Sequence, residues 1–169
     1  MTSMPPWLPK ALCYADYKGN WERFISDVYS IFLNDFKHSR INYAGRTIVY
    51  DSTIEFGKEK TFWHLVQRQD FNVKERLPDI RRCERIPWPR PIIEHSNDNI
   101  ISMWKKEIKR QIRIHIWLEA LDYIVVLAEM PRVVVLVTAF CTDIESQRRK
   151  LIKDRDNYNE MQKPPRKAT

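Results

Sequence analysis

The chain has few glycines and few cysteines. Only three of its 169 residues are glycine, and no Walker, GxGxxG or GxSxG motif occurs, which excludes a glycine-rich phosphate loop. The three cysteines, Cys13, Cys83 and Cys141, are odd in number, far apart and without a CxxC pair. Neither a disulfide framework nor a zinc knot is expected, and the reducing cytoplasm is the predicted location.

Clustered histidines and long apolar segments are also missing. The four histidines form no HxxxH or HExxH pattern, so we expect no metal site and no cofactor. The longest apolar run, residues 123–128, is too short to cross a bilayer, and the first ten residues lack the features of a signal peptide. We therefore expect no membrane partner.

Positive charge is what the chain has in excess. Its 29 lysines and arginines against 22 acidic residues give a formal net charge of +7 and a pI of about 9.4. Such a balance favours an anionic partner, with nucleic acid first among the candidates.

The hydrophobic periodicity predicts an α+β fold, with helices packed on one face of an antiparallel sheet that ends in a three-stranded meander. Helices are predicted over residues 20–36, 59–69 and 98–110, and strands over 46–50, 112–118, 123–129 and 133–140. Residues 70–91 are predicted to be an irregular basic loop. A single domain, residues 20–141, is expected between an N-terminal arm, 1–19, and a charged C-terminal helix and tail, 142–169.

One helix face carries a candidate catalytic group. Lys60, His64 and Arg68 follow one another at intervals of four residues, so a helix places them on the same side. RNA cleavage without a metal needs a base, an acid and cations around the phosphate, and histidine, lysine and arginine can supply these functions. The alternative is that His64 is partly buried beside Trp63 and that the nearby arginines are solvated or paired with acids.

A second candidate surface is the polar face of the strand at 112–118. His115 lies there with Trp117 as a stacking platform, and together they could form the floor of a nucleic-acid cleft. The alternative is a strand face covered by a helix. Further predicted nucleic-acid contacts are Arg68, Arg81, Arg82, Arg90, Lys105, Lys109 and Arg113.

Several segments resemble a known group of nucleases. GKEKTFWHL and RCERIPWPR, followed by DYIVVL, a turn and VVVLVTAF, are similar to the phage-encoded nuclease-like domains of the barnase–EndoU–colicin–RelE superfold, over about residues 45–141. Members are small metal-independent ribonucleases, often toxins of conflict systems or prophages. The resemblance implies a concave sheet face around the scissile phosphate, with His64, Arg85 and Thr138 at the matching positions and Lys60 and Arg82 nearby.

We therefore expect a metal-independent endoribonuclease of toxin type, a hydrolase in the broad sense. The expected partners are RNA, with ribosomal RNA or tRNA as candidates, and an antitoxin protein. The alternative is a non-enzymatic module of a prophage or mobile element that binds nucleic acid or protein. An antitoxin or immunity protein ranks last, because the acidity usual in such proteins is absent.

Overall fold

The structure is a computed structural model that describes residues 3–69 and 76–164. Its helices are α1 (Trp21–Phe32), α2 (Lys60–Val66), α3 (Ile80–Glu84), α4 (Pro89–Glu94) and α5 (Glu145–Met161). Its strands are β1 (Asn42–Tyr43), β2 (Arg46–Tyr50), β3 (Ile54–Glu55), β4 (Lys58–Glu59), β5 (Gln67–Gln69), β6 (Arg76–Pro78), β7 (Ser102–Ile108), β8 (Gln111–Leu118), β9 (Tyr123–Glu129) and β10 (Val133–Cys141).

The predicted α+β fold is confirmed. Six strands form one sheet in the order β1-β2-β10-β9-β8-β7. Strands β7 to β10 are an antiparallel meander, in which the last three are the predicted strands, β8 from its alternation and β9 and β10 from their continuous apolar runs. Strand β2 joins the sheet beside β10 in parallel, with Thr47 opposite Val133. The pairs β3–β4 and β5–β6 are small separate hairpins.

The long amphipathic helix near the N-terminus is α1. The side chain of Asn20 caps it by accepting a hydrogen bond from the Arg23 N–H at 3.0 Å. Phe24, Val28 and Phe32 are its buried residues, and the chain then continues through a π-helical turn, Leu33–Lys37. The N-terminal arm lies against the domain, since the Trp7 Nε1–H donates to the Asp98 carboxylate at 2.9 Å.

The helix predicted over residues 98–110 is wrong, because residues 102–108 form strand β7. Ile100, Trp104 and Ile108 are spaced by four residues, which suits a helical stripe. Because four is also an even number, the same spacing places them on one side of a strand. Residues 102–108 form a strand because they pair with β8, from Ser102 opposite Trp117 to Ile108 opposite Gln111.

The irregular loop predicted over residues 70–91 is wrong for most of the part that is described, where only residue 79 and residues 85–88 lie outside a helix or strand. Residues 70–75 lie outside the described residues, but β6, α3 and the start of α4 follow them. Asp79 caps α3 by accepting from the Arg82 N–H at 3.2 Å. Pro89 is the first residue of α4, a position where its missing N–H costs the helix no hydrogen bond.

The two faces of the sheet pack against different clusters of apolar residues. On the inner face, Ile114, Ile116 and Leu118 belong to the main core with residues of α1, α2 and α4. The alternate residues of β8 point the other way, where Trp104, Trp117, Ile124 and Leu151 form a smaller cluster. Helix α5, the charged helix predicted within 142–169, covers this outer face, so helices lie on both faces of the sheet and not on one face as predicted. Over the described residues, no helix combines the length and apolar character that crossing a membrane requires.

Candidate active site

The segment after β2 fixes the start of α2. The Asp51 N–H donates to Thr61 Oγ1 at 2.9 Å, and the Thr61 N–H donates back to the Asp51 carbonyl at 3.3 Å. The Asp51 carboxylate accepts the Thr53 N–H at 3.0 Å. These local bonds hold one face of α2 against a short polar loop, so the carboxylate of Asp51 has a defined position beside the helix.

Asp51, Lys60 and His64 form a cluster on this side of α2. The Lys60 Nζ lies 4.0 Å from Asp51 Oδ2 and 3.8 Å from Glu55 Oε1. Hydrogen bonds from Thr53 hold the pKa of Asp51 below its usual value, and the positive charges of Lys60 and His64 lower it further. The side chains of Asp51 and Lys60 are 46% and 39% exposed. Solvent therefore reaches both of these charged side chains.

Asp51 was not among the candidates that the sequence suggested. No spacing relation connects it with His64, because the β3–β4 hairpin intervenes between the end of β2 and the start of α2. The signal that the sequence does carry is a run of turn-forming polar residues, Asp51 to Thr53, directly after a β-branched strand.

The side chains of Arg82 and Thr138 form hydrogen bonds with the backbone of α2 and of the residue after it, and do not extend into solvent. The Thr138 hydroxyl donates to the His64 carbonyl at 2.9 Å. Arg82 Nη1 donates to the Gln67 carbonyl at 2.7 Å and contacts the His64 carbonyl at 3.5 Å, and its guanidinium carbon lies 5.5 Å from the centre of the Phe140 ring. Both side chains therefore position the backbone that carries His64.

The other arginines predicted from the basic segment have structural partners. Arg81 forms an ion pair with Asp143. Arg85 Nη1 donates to the Arg81 carbonyl at 3.1 Å, and its guanidinium carbon lies 5.1 Å from the centre of the Trp88 ring. Arg90 bonds the Asp35 carbonyl at 2.6 Å and pairs with Glu94 at 3.0 Å. The helix predicted over residues 59–69 ends at Val66, so Arg68 lies exposed on β5 and does not share a helix face with Lys60 and His64 as predicted.

The proposed cleft on the outer face of β8 is covered. His115 is 7% exposed and Trp117 is 0% exposed, and the guanidinium carbons of Arg148 and Arg155 lie 5.2 and 5.6 Å from the Trp117 ring. The Trp117 Nε1–H donates to Thr142 Oγ1 at 3.0 Å. A nucleobase cannot stack on this indole while α5 is in place. The predicted cleft is therefore wrong, and the alternative, a strand face covered by a helix, is what the structure shows.

His115 is held in its neutral form. Burial lowers its pKa to about 4, with Lys106 and Arg113 lowering it further and Asp154 opposing them. The imidazole stacks on Trp104 with ring centres 5.0 Å apart and planes 4° from parallel. A group with this pKa is a poor proton donor near neutral pH.

The remaining predicted contacts lie on β7, on β8 and at the turn between them. The Lys105 Nζ pairs with Glu129 Oε2 at 2.7 Å, whereas Lys109 is exposed and Arg113 is partly buried. In the described part of the chain, no group of three or more His, Cys, Asp or Glu side chains is arranged to hold a metal ion.

A hollow of about 290 Å³ lies elsewhere, between the N-terminal arm and α1, where Cys13, Tyr17 and Arg23 are among its lining residues. The cluster at α2 is therefore not inside this hollow.

Comparison of the chain with protein-family models, with curated proteins and with solved structures finds no match.

Proposed function

We propose that the protein is a metal-independent endoribonuclease that acts in the cytoplasm, with His64 as its proton-transfer group and Lys60 as a phosphate-binding cation. The observation that carries this proposal is the ion pair of Lys60 with the half-exposed Asp51 carboxylate, on the side of α2 where His64 lies near enough to lower the pKa of that carboxylate. Histidine is the side chain whose ordinary pKa lies nearest neutrality, so an imidazole beside a carboxylate and an ammonium group suits proton transfer.

The proposed reaction is an internal transesterification. The 2′-oxygen of the RNA attacks the adjacent phosphorus, and its proton passes to a carboxylate of the cluster, for which Asp51 and Glu55 are the two candidates. The bond from phosphorus to the 5′-oxygen breaks, and His64 donates a proton to that oxygen. Lys60 stabilises the charge on the phosphate oxygens during the exchange. The products are a 2′,3′-cyclic phosphate and a 5′-hydroxyl end.

The first test measures cleavage of end-labelled RNA in the presence of EDTA. Because an acid–base group typically contributes about 10²- to 10⁴-fold in rate, His64→Ala should lose activity on that scale. His38→Ala is the matched control, since His38 is an exposed histidine outside the cluster, and it should cleave at the wild-type rate. Equal cleavage by His64→Ala and wild type, or loss of wild-type cleavage in EDTA, would refute the proposal.

A toxin role follows if the cleaved RNA is essential for growth, and an antitoxin would then be the expected partner. Induced expression of wild type should arrest growth, whereas His64→Ala should not. The alternative function is a non-enzymatic binding module, which the excess of positive charge favours. Such a module would show no turnover at any pH and an affinity that falls steeply with salt, whereas the enzyme should show a bell-shaped pH profile.

A further inference from the structure

Three hairpins in the described part of the chain turn within two residues, and one of them has an unusual sequence. The turns are 44–45 between β1 and β2, 56–57 between β3 and β4, and 109–110 between β7 and β8, and all six residues have a positive φ. Turns of this kind favour asparagine or aspartate followed by glycine. The first two turns end in glycine, but the third is Lys109 at φ 51° and Arg110 at φ 62°.

Two long cationic residues in the left-handed region are an unfavourable choice for folding. A side chain with a Cβ is strained at such angles, and strain of this kind is concentrated at functional sites. Both side chains are exposed, so packing against the core does not explain their presence. In the described part of the chain, neither one forms an ion pair.

Further cations surround this turn. The meander brings the 109–110 turn beside the 130–132 turn, where Gln111 Nε2 lies 3.6 Å from Met130 Sδ. Arg46 Nη1, at the start of β2, donates to the Met130 carbonyl at 2.8 Å. We call this end of the sheet the basic rim, and it consists of Arg46, Lys105, Lys109, Arg110, Arg113 and Arg132.

Carboxylates do not neutralise the basic rim. The same strand ends and turns carry only two acids, Glu107 and Glu129. Glu129 is shared, because Lys105 Nζ lies 2.7 Å and Arg46 Nη2 lies 3.3 Å from its Oε2. Arg132, like the two residues of the neighbouring turn, is exposed and without an ion pair among the described residues. A patch with this excess of charge attracts a polyanion.

We propose that the basic rim binds the phosphate backbone of single-stranded RNA. The identity of the polyanion as RNA rests on the proposed function, whereas the binding surface itself does not. Strand β2 runs from Arg46 in the rim to Tyr50, directly before Asp51. At about 3.3 Å per residue the rim and the candidate active site are roughly 17 Å apart. An RNA strand several nucleotides long can contact both, so the rim holds substrate while the cluster at α2 cleaves it.

The test replaces the strained turn with one that suits the backbone. The double variant Lys109→Asn, Arg110→Gly should raise the melting temperature, because Asn-Gly is the preferred sequence for this turn. In the non-cleaving His64→Ala background, the same change should weaken binding of a fluorescent single-stranded RNA about tenfold. It should also reduce the slope of log affinity against log salt by about 1.4, which corresponds to two lost phosphate contacts.

The matched control removes two charges elsewhere. Lys10→Gln, Lys18→Asn changes the net charge equally and also relieves a positive φ at Lys18, which is 51°, but it should change affinity less than twofold. Arg132→Gln is a second rim variant that leaves the strained turn untouched, and it should weaken binding about threefold with a slope change of about 0.7.

Several results would overturn the inference. These are unchanged RNA affinity in the rim variants, equal weakening by the rim and control variants, and binding of an acidic polypeptide to the rim as tightly as RNA. The proposed function can fail separately. A wild type that cleaves no RNA, together with rim-dependent binding, refutes catalysis and supports the rim, whereas active wild type with unaltered binding and KM in the rim variants refutes the rim alone.

Discussion

The two faces of the central sheet are covered by helices of opposite character. The inner face packs against helices whose buried residues are aromatic or aliphatic, such as Phe24, Phe32 and Phe62, all 0% exposed. The outer face packs against α5, in which Leu151 is the one residue classed as buried. The same sheet is therefore held by a large hydrophobic core on one side, and on the other side by a small apolar cluster together with ion pairs.

Ionic contacts at two positions along α5 attach it to the sheet and the turn after β8. Glu119 accepts from Arg148 at 3.0 Å and from Arg155 at 2.6 Å, and Lys106 pairs with Asp154 at 2.6 Å. Hydrophobic contacts resist salt and pH, whereas ion pairs at the surface are screened by salt and depend on ionisation. We therefore expect the outer face to open under conditions that leave the inner face closed.

The largest effect should come from truncating the inner core. Phe62 packs against Tyr29, Phe32 and Trp63 with ring centres 5.0 to 5.6 Å apart. Phe62→Ala should lower the free energy of unfolding by about 3–5 kcal/mol, because it removes buried contacts and leaves a cavity. Leu151→Ala on α5 is the comparison variant, and it should cost about 2 kcal/mol, the lower end for a leucine. Denaturant titration measures both, and equal losses would contradict the difference between the faces.

The next largest effect on the free energy of unfolding should come from lowering the pH, because His115 on the outer face then takes up a proton. Its pKa is about 4 in the folded protein, because burial disfavours the charged form, and about 6.5 when unfolded. The unfolded chain therefore takes up the proton first, so stability is fully present above about pH 6.5 and is lost as the pH falls toward 4. The loss should be on the order of 2–3 kcal/mol. Asp154, Lys106 and Arg113 face the imidazole and set this window.

The variant His115→Phe keeps a ring beside Trp104 and removes the titration, so its stability should vary less between pH 6.5 and 4. Asp35, among the helices on the inner side, acts in the opposite direction. Burial raises its pKa to about 6, and the stability from its protonated form is lost as the pH rises from about 4 to 6. The pH dependence of stability should therefore be compared between proteins that all carry Asp35→Asn, with and without His115→Phe. An unchanged pH dependence after His115→Phe would exclude His115 as the sensor.

The sequence alone was sufficient to predict the helices and strands whose hydrophobic pattern is local. Strands β8 to β10 follow from alternation or continuous β-branched runs, and α1 follows from its apolar spacing. Strand β7 was missed because its four-residue spacing fits a helix and a strand equally well. The parallel pairing of β2 with β10 joins residues more than eighty positions apart, and no local pattern encodes such a contact.

The candidate site was predictable in part for the same reason. Lys60 and His64 share a helix face, which spacing alone predicts, but Asp51 reaches them only through the loop geometry. Residue type also did not distinguish a solvated arginine from one that bonds backbone carbonyls, as Arg82 and Arg90 do. The burial of His115 and Trp117 depends on the docking of α5, a helix whose own apolar content gives little reason to expect it to cover a sheet.

The smallest effect, and the most specific to the outer face, should come from Glu119→Gln. This change removes the charge that both Arg148 and Arg155 contact, and we expect α5 to lose about 1–2 kcal/mol of local stability, since each partly exposed pair contributes up to about 1 kcal/mol. Hydrogen exchange of the α5 amides measures the local opening.

Glu145→Gln is the matched control, because its pair with Arg149 spans 3.5 Å between side chains that are 74% and 72% exposed, and it should change exchange very little. In 1 M salt, where the screening length is about 3 Å, the difference between the two variants should shrink. If Glu119→Gln instead exchanges like wild type at low salt while Leu151→Ala releases the helix, then packing holds α5 as it holds the inner helices, and the contrast between the two faces is one of composition only.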